Sequence, residues 1–198
     1  MHPSEMDPAV EAMSALAGPG HKISDATDHI PNAPGLYAVH AEPHTWRTLG
    51  LEGHDPKRPL YVGKSEDDLV TRDLKTHFAI ERGDRSTTGS STVRRSFAAL
   101  LREPLELRGV PRNKSKPGHF SNYALEKDAD ERLTDWMHKH LTIAVWRKPA
   151  GVDLILTEVE KRILRQWGPP LNLTHVPAPL QQLRSARAVM AAEARSWT

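Results

Sequence analysis

A glutamate set in an apolar helical stripe is the most chemically pointed feature of the chain. Within residues 152–167, Leu156, Glu160, Ile163 and Trp167 recur at i, i+4, i+7 and i+11, whereas Glu158, Lys161, Arg162 and Arg165 take the opposite side. A carboxylate in an apolar face is costly unless it is paired, protonated or holding a cation. Spacing leaves these three open, and an ion pair with a nearby arginine is the plainest of them. Two tyrosines form the second feature. Pro34-Gly35-Leu36-Tyr37-Ala38-Val39-His40 and Pro59-Leu60-Tyr61-Val62-Gly63-Lys64 are short β-type runs with one tyrosine each, and they read as neighbouring strands of a long-loop hairpin. By residue type alone, such tyrosines are core residues with satisfied hydroxyls. The third feature is charge. Residues 94–116 hold seven Arg/Lys against two Glu, and residues 124–135 hold five acids against two bases. Such polarity gives one face the means to attract phosphates, although charge runs also serve simply to solvate a surface. With no cysteine, disulfides, thiolate nucleophiles and thiolate metal sites are excluded.

These residues need elements to position them. A chain of 198 residues, 38% of them hydrophobic, can bury one sizeable core but hardly two. Asp7 as N-cap, Pro8 at the first helical position and Gly18-Pro19-Gly20 at the end predict a short N-terminal helix. Residues 42–58 are rich in His, Gly, Pro and charge and read as a loop over the hairpin. Ser65-Glu66-Asp67-Asp68 has the form of a capping box and should open a helix over residues 69–78, with Arg72 projecting from an edge of its packed face. Past a Gly/Ser patch, Val93, Phe97, Leu100 and Leu101 mark another helix, ended by Pro104. A broken basic loop over 108–118, an acidic helix over 125–140 and a strand over 141–146 follow. The last helix, 179–197, carries a partly apolar stripe of Leu180, Leu183, Arg187 and Met190, a surface that could seat another protein. The start shows no export signal and no run is long enough to span a membrane, so a cytoplasmic protein without a membrane partner is expected.

Gly35-Leu36-Tyr37 and Tyr61-Val62-Gly63 resemble the paired signatures that name the GIY-YIG nuclease superfamily, with Leu36 and Val62 where isoleucine is usual. The resemblance extends to Arg72 in the following helix, and to a glutamate about three turns before an asparagine in a proline-containing turn, a place filled by Glu160 and Asn172 in Gly168-Pro169-Pro170-Leu171-Asn172. It spans residues 34–172, although 80–140 is longer than a minimal member needs. The implied fold is α/β (α+β): a small central antiparallel three-stranded sheet flanked by helices. The division expected is an N-terminal appendage over 1–30, a nuclease domain over 31–176 with an insertion at about 81–140, and a C-terminal helical appendage over 177–198.

The resemblance implies phosphodiester hydrolysis, which needs an activated water, a cation to absorb phosphate charge and restraint of the leaving oxygen. Glu160 would ligate Mg²⁺ or Mn²⁺, and one carboxylate suits magnesium, whose shell is otherwise water and phosphate oxygen. Arg72 would clamp the scissile phosphate through its planar fork. Tyr37 is the implied base and Tyr61 its positioning partner. An ordinary phenol, with a pKa of ~10, needs nearby positive charge to serve at neutral pH, and Lys64, Arg72 and the metal are the expected sources. Asn172 would bond the site's backbone or the substrate. His77 lies five residues after Arg72, about 140° around a regular helix, so it either reaches the site through an irregular turn or, the reading slightly preferred, is simply one of the chain's eleven histidines. Arg94, Arg95, Arg108, Arg112, Lys114 and Lys116 are the expected contacts to DNA, taken as double-stranded and bound by a monomer or a homodimer. The functional expectation is a metal-dependent DNA endonuclease of restriction or repair type. Its alternative is a catalytically inactive nucleic-acid-binding module of the same fold.

Overall fold

The computed structural model describes residues 7–69, 77–78 and 88–197. Its centre is a sheet whose middle strand is the first tyrosine run. Strands β1 (His21–Lys22), β2 (Gly35–Ala41), β3 (Tyr61–Ser65) and β4 (Leu141–Arg147) lie in the order β1-β4-β2-β3, all antiparallel. The sheet therefore has four strands rather than the expected three. The extra one is a two-residue edge paired through His21↔Ile143 and Lys22↔Thr142, too short to leave a periodic pattern in the sequence.

Because β2 is buried on both faces, its side chains feed two cores. Leu36 and Ala38 join Val62 and Trp146 in one, packed under helices α1 (Pro8–Leu16) and α5 (Leu156–Trp167). Tyr37 and Val39 point to the other and larger core, shared with α3 (Thr92–Leu100), α4 (Lys127–His140) and α6 (Gln181–Arg195). Alternation along a strand produces this division. The ends expected as appendages take part in it: Ala9, Ala12 and Leu16 of α1 enter the first core, and Leu183, Met190 and Ala194 of α6 the second. The apolar stripe of α6 is thus used internally rather than held out for a partner.

Local signals explain most element boundaries. Asp7 accepts a hydrogen bond from Ala9 N at 3.0 Å and Pro8 begins α1. Ser65 Oγ accepts from Asp68 N at 3.1 Å, as a capping residue should. The helix expected to follow lies, beyond Leu69, outside the described residues apart from His77 and Phe78. The stretch 42–58 is a correction. It contains a helix, α2 (Pro43–Thr48), and Trp46, Leu49 and Leu51 sink into the larger core, with Trp46 Nε1 donating to Ala41 O at 3.2 Å. Its polar composition masked three anchors.

Candidate active site on the β2–β3 hairpin

The register Tyr37↔Gly63 and Val39↔Tyr61 puts both tyrosines on one face of the hairpin, with the Ala38↔Val62 pair between them. Their ring centroids are 6.0 Å apart. Tyr37 is buried at 1% exposure and lies across β3, where a Cβ on Gly63 would stand 2.5 Å from its hydroxyl and 2.6 Å from its Cζ. Any side chain there would displace the phenol, which explains the glycine of the second triplet. The glycine of the first triplet is fixed similarly: a Cβ on Gly35 would collide with the Trp146 carbonyl oxygen across the sheet.

His77 is brought to this face. Its ring centroid lies 5.9 Å from that of Tyr37. It is 5% exposed, with Nδ1 2.7 Å from Ser91 Oγ.

Lys64 is not brought there. Its cross-strand partner is Leu36, so it points to the opposite face, where its ammonium pairs with Glu66. Glu66 in turn accepts from Thr157 of α5 at 3.4 Å, and the Lys64 hydrogen bond holds its carboxyl below the usual range. Lys64 therefore does not stand over the Tyr37 phenol as expected, since one step along a strand reverses the side-chain direction.

Asn172 joins helix α5 to the hairpin. Gly168, at φ +57°, ends α5 in the left-handed conformation, and the chain returns along β3 with Leu171 N donating to Leu60 O at 3.0 Å. Asn172 is 7% exposed; its Oδ1 accepts from Val62 N at 2.9 Å and its Nδ2 donates to Val62 O at 2.8 Å. One side-chain amide thereby satisfies both outward backbone groups of an edge strand, between Tyr61 and Gly63. Glu160 lies on α5, half-buried beside the buried residues Val159, Ile163 and Leu164. Glu158 is exposed and bonded to Lys161 at 2.8 Å, which holds its carboxyl below the usual range. Among the described residues no group of three His, Asp or Glu side chains could cage a metal. A half-buried carboxylate suits a hard ion that keeps its waters and takes substrate oxygens as further ligands. Arg72 lies outside the described residues.

The GIY-YIG catalytic domain matches residues 40–190, most of the chain. The chain belongs to that family. The matched span opens at His40, inside β2 and just past Tyr37, and closes in α6. Neither a curated protein nor a solved structure matches the chain significantly. Membership makes this a nuclease-type domain, in a family whose members act on DNA and generally depend on a divalent metal. No helix among the described residues is long and apolar enough to cross a membrane.

Two of the expected DNA contacts require correction. Arg94 is fully buried: Nε donates to Thr88 Oγ1 at 3.2 Å, Nη1 to His77 O at 3.1 Å and Nη2 to Thr134 Oγ1 at 2.9 Å, with Asp130 Oδ1 3.2 Å away. Burial holds its pKa below that of an ordinary arginine, against the opposing pull of Asp130. Arg95 is 7% exposed and donates to Gly89 O at 2.9 Å and Thr92 Oγ1 at 3.1 Å; burial, and then neighbouring Arg187, brings its pKa down to about 10. Neither offers its charge to a backbone outside. The loop cations lie at the surface. Arg108, Arg112, Lys114 and Lys116 are exposed, and the last three line an open cleft of about 860 Å³ with His119 and Lys127. Lys114 is partly engaged, 2.8 Å from Glu126 and 5.0 Å above the Trp197 ring.

Sequence reading missed Ser91 and Asp130. Ser91 precedes the apolar stripe of α3 and caps it, accepting from Arg94 N at 3.1 Å, a role its type and position announce. Asp130 belongs to the acidic run. The two oppositely charged runs were each legible, and their meeting was the signal to look for.

Proposed function

We propose that the protein is a Mg²⁺-dependent endonuclease that cuts double-stranded DNA, of restriction or repair type. The observation that carries this reading is the convergence at β3: Tyr37 lies across Gly63 beside Tyr61 and His77, while Asn172, at the end of the Glu160 helix, grips the strand between the two tyrosines. In this reading Tyr37 takes the proton of the attacking water and Tyr61 orients the phenol. Arg72 holds the nonbridging oxygens of the scissile phosphate in its fork. Glu160 provides the protein ligand for the ion, whose charge, when it is bound, offsets that developing on the phosphate. Asn172 keeps the hairpin edge closed, so that the tyrosines and α5 stay in fixed relation. The exposed cations of the 108–116 loop hold the DNA backbone on either side of the cut.

Incubation of purified protein with supercoiled plasmid in Mg²⁺ or EDTA tests the proposal. Nicked or linear product that needs the metal is expected. DNA retention without cleavage in any divalent metal would overturn it, leaving a binding module of the same fold.

A further inference from the structure

The polar groups under His77 belong to the insertion, and they determine which ring nitrogen carries the proton. Ser91 is fully buried, and its hydroxyl has two neighbours: the backbone N–H of Arg94 at 3.1 Å, a donor, and His77 Nδ1 at 2.7 Å. Of these two neighbours, the only ones among the described residues, Arg94 N can only donate, so the serine proton goes to the imidazole Nδ1. If Nδ1 instead carried a proton, as in the charged ring or the other tautomer, the serine O–H would be buried without an acceptor, an arrangement folded proteins avoid.

The backbone of His77 is held from the same helix. Its carbonyl accepts from Nη1 of Arg94, whose other N–H groups are taken by Thr88, Thr134 and the Asp130 carbonyl. Asp130 Oδ1 also accepts from the Thr88 hydroxyl and from Thr88 N. Side chain and carbonyl of one histidine are thus fixed by two residues one helical turn apart on α3, and those are braced by α4.

We propose that Ser91 is a positioning residue that holds His77 as the neutral tautomer protonated on Nε2. Resting on the nuclease reading, this makes His77 a donor through Nε2 and not the base, and leaves proton abstraction to Tyr37. It also gives the insertion a second task besides holding DNA: it seats a site residue.

The tautomer can be read directly on the whole protein by ¹⁵N–¹H correlation of the histidine ring, with His77→Gln supplying the assignment. The expected pattern is an unprotonated, pyridine-type Nδ1 and a protonated, pyrrole-type Nε2 for His77; the reverse pattern, or a charged ring at neutral pH, overturns the proposal. This readout needs no cleavage, so it decides the matter even if the nuclease reading fails. Where cleavage is present, Ser91→Ala should lower turnover at saturating DNA by roughly 10²-fold with little change in KM, and Ser91→Thr, which keeps the hydroxyl, should recover most of it. A serine that merely capped α3 would lower the melting temperature in Ser91→Ala and leave turnover at saturation unchanged, which would also overturn the proposal.

Discussion

The arginines of α3 and the cations of the 108–116 loop carry the same charge in neighbouring stretches of chain, and the fold uses them in opposite ways. Arg94 is enclosed, its N–H groups accounted for by Thr88, His77, Asp130 and Thr134. Arg112 and Lys116 stand in solvent beside an open cleft, and no carboxylate among the described residues pairs with either. A local density of basic residues therefore says little about DNA by itself. What separates the two groups is whether an acceptor set waits within the fold. The helix meets an acidic neighbour, α4, through buried hydrogen bonds, whereas the loop cations are exposed.

The sharpest break in this comparison comes from removing the partner of the enclosed charge. Asp130→Ala leaves Arg94 buried without a counter-charge, and loss of one member of a buried pair costs about 3–5 kcal/mol. Urea or thermal unfolding should show that loss, with DNA affinity per folded molecule unchanged. If unfolding is unmoved, Arg94 is hydrated in solution and the distinction between helix and loop falls.

Glu160→Gln extends the comparison to the carboxylate proposed to hold the metal. Cleavage should fall by at least about 10²-fold, while melting and DNA retention stay close to those of the parent. Glu158→Gln is the matched control on the solvated side of the same helix. An essential Glu158 beside a dispensable Glu160 would reverse the assignment of the metal ligand.

Tyr37→Phe separates role from packing at the centre of the sheet. The ring keeps its place across Gly63, so stability should change by no more than about 1 kcal/mol, the worth of one hydrogen bond, while cleavage drops far more. Full activity in the phenylalanine variant would remove Tyr37 as the base and leave it a core residue.

What the sequence made legible was local. Asp7-Pro8, the capping serine at Ser65, the two tyrosine runs and the helix over Glu160 each act over a few residues, and each reappears in the structure. The sidedness of Lys64 was also legible: it follows Gly63 and so points away from Tyr37's face, but the pull of a positively charged neighbour obscured simple alternation. Other features were hidden by distance. Nothing near Arg94 shows that Asp130, 36 residues away, will bury it. Trp46, Leu49 and Leu51 sit among histidines and charges, and only the packed core shows them to be anchors. Edge strand β1 has two residues, and its pairing with β4 is set by the fold and not by its own pattern.

The smallest effect is expected in the loop, and it is the one that tests whether exposure translates into grip. Replacing Arg108, Arg112, Lys114 and Lys116 together by glutamine should leave stability within about 0.5 kcal/mol, because surface changes of this kind rarely move it. The salt dependence of DNA binding should flatten by about one unit of slope for each phosphate no longer neutralised, on unrelated sequences alike. The four are not equivalent. Lys114 is held by Glu126 and rests on Trp197, so Lys114→Gln alone should change the slope less than Lys116→Gln alone. Binding titrations over a range of salt give these slopes directly. An unchanged slope in the quadruple variant would mean that the loop only solvates the cleft. A loss of affinity confined to one DNA sequence would place base-reading side chains there, since a grip on phosphates holds every sequence equally.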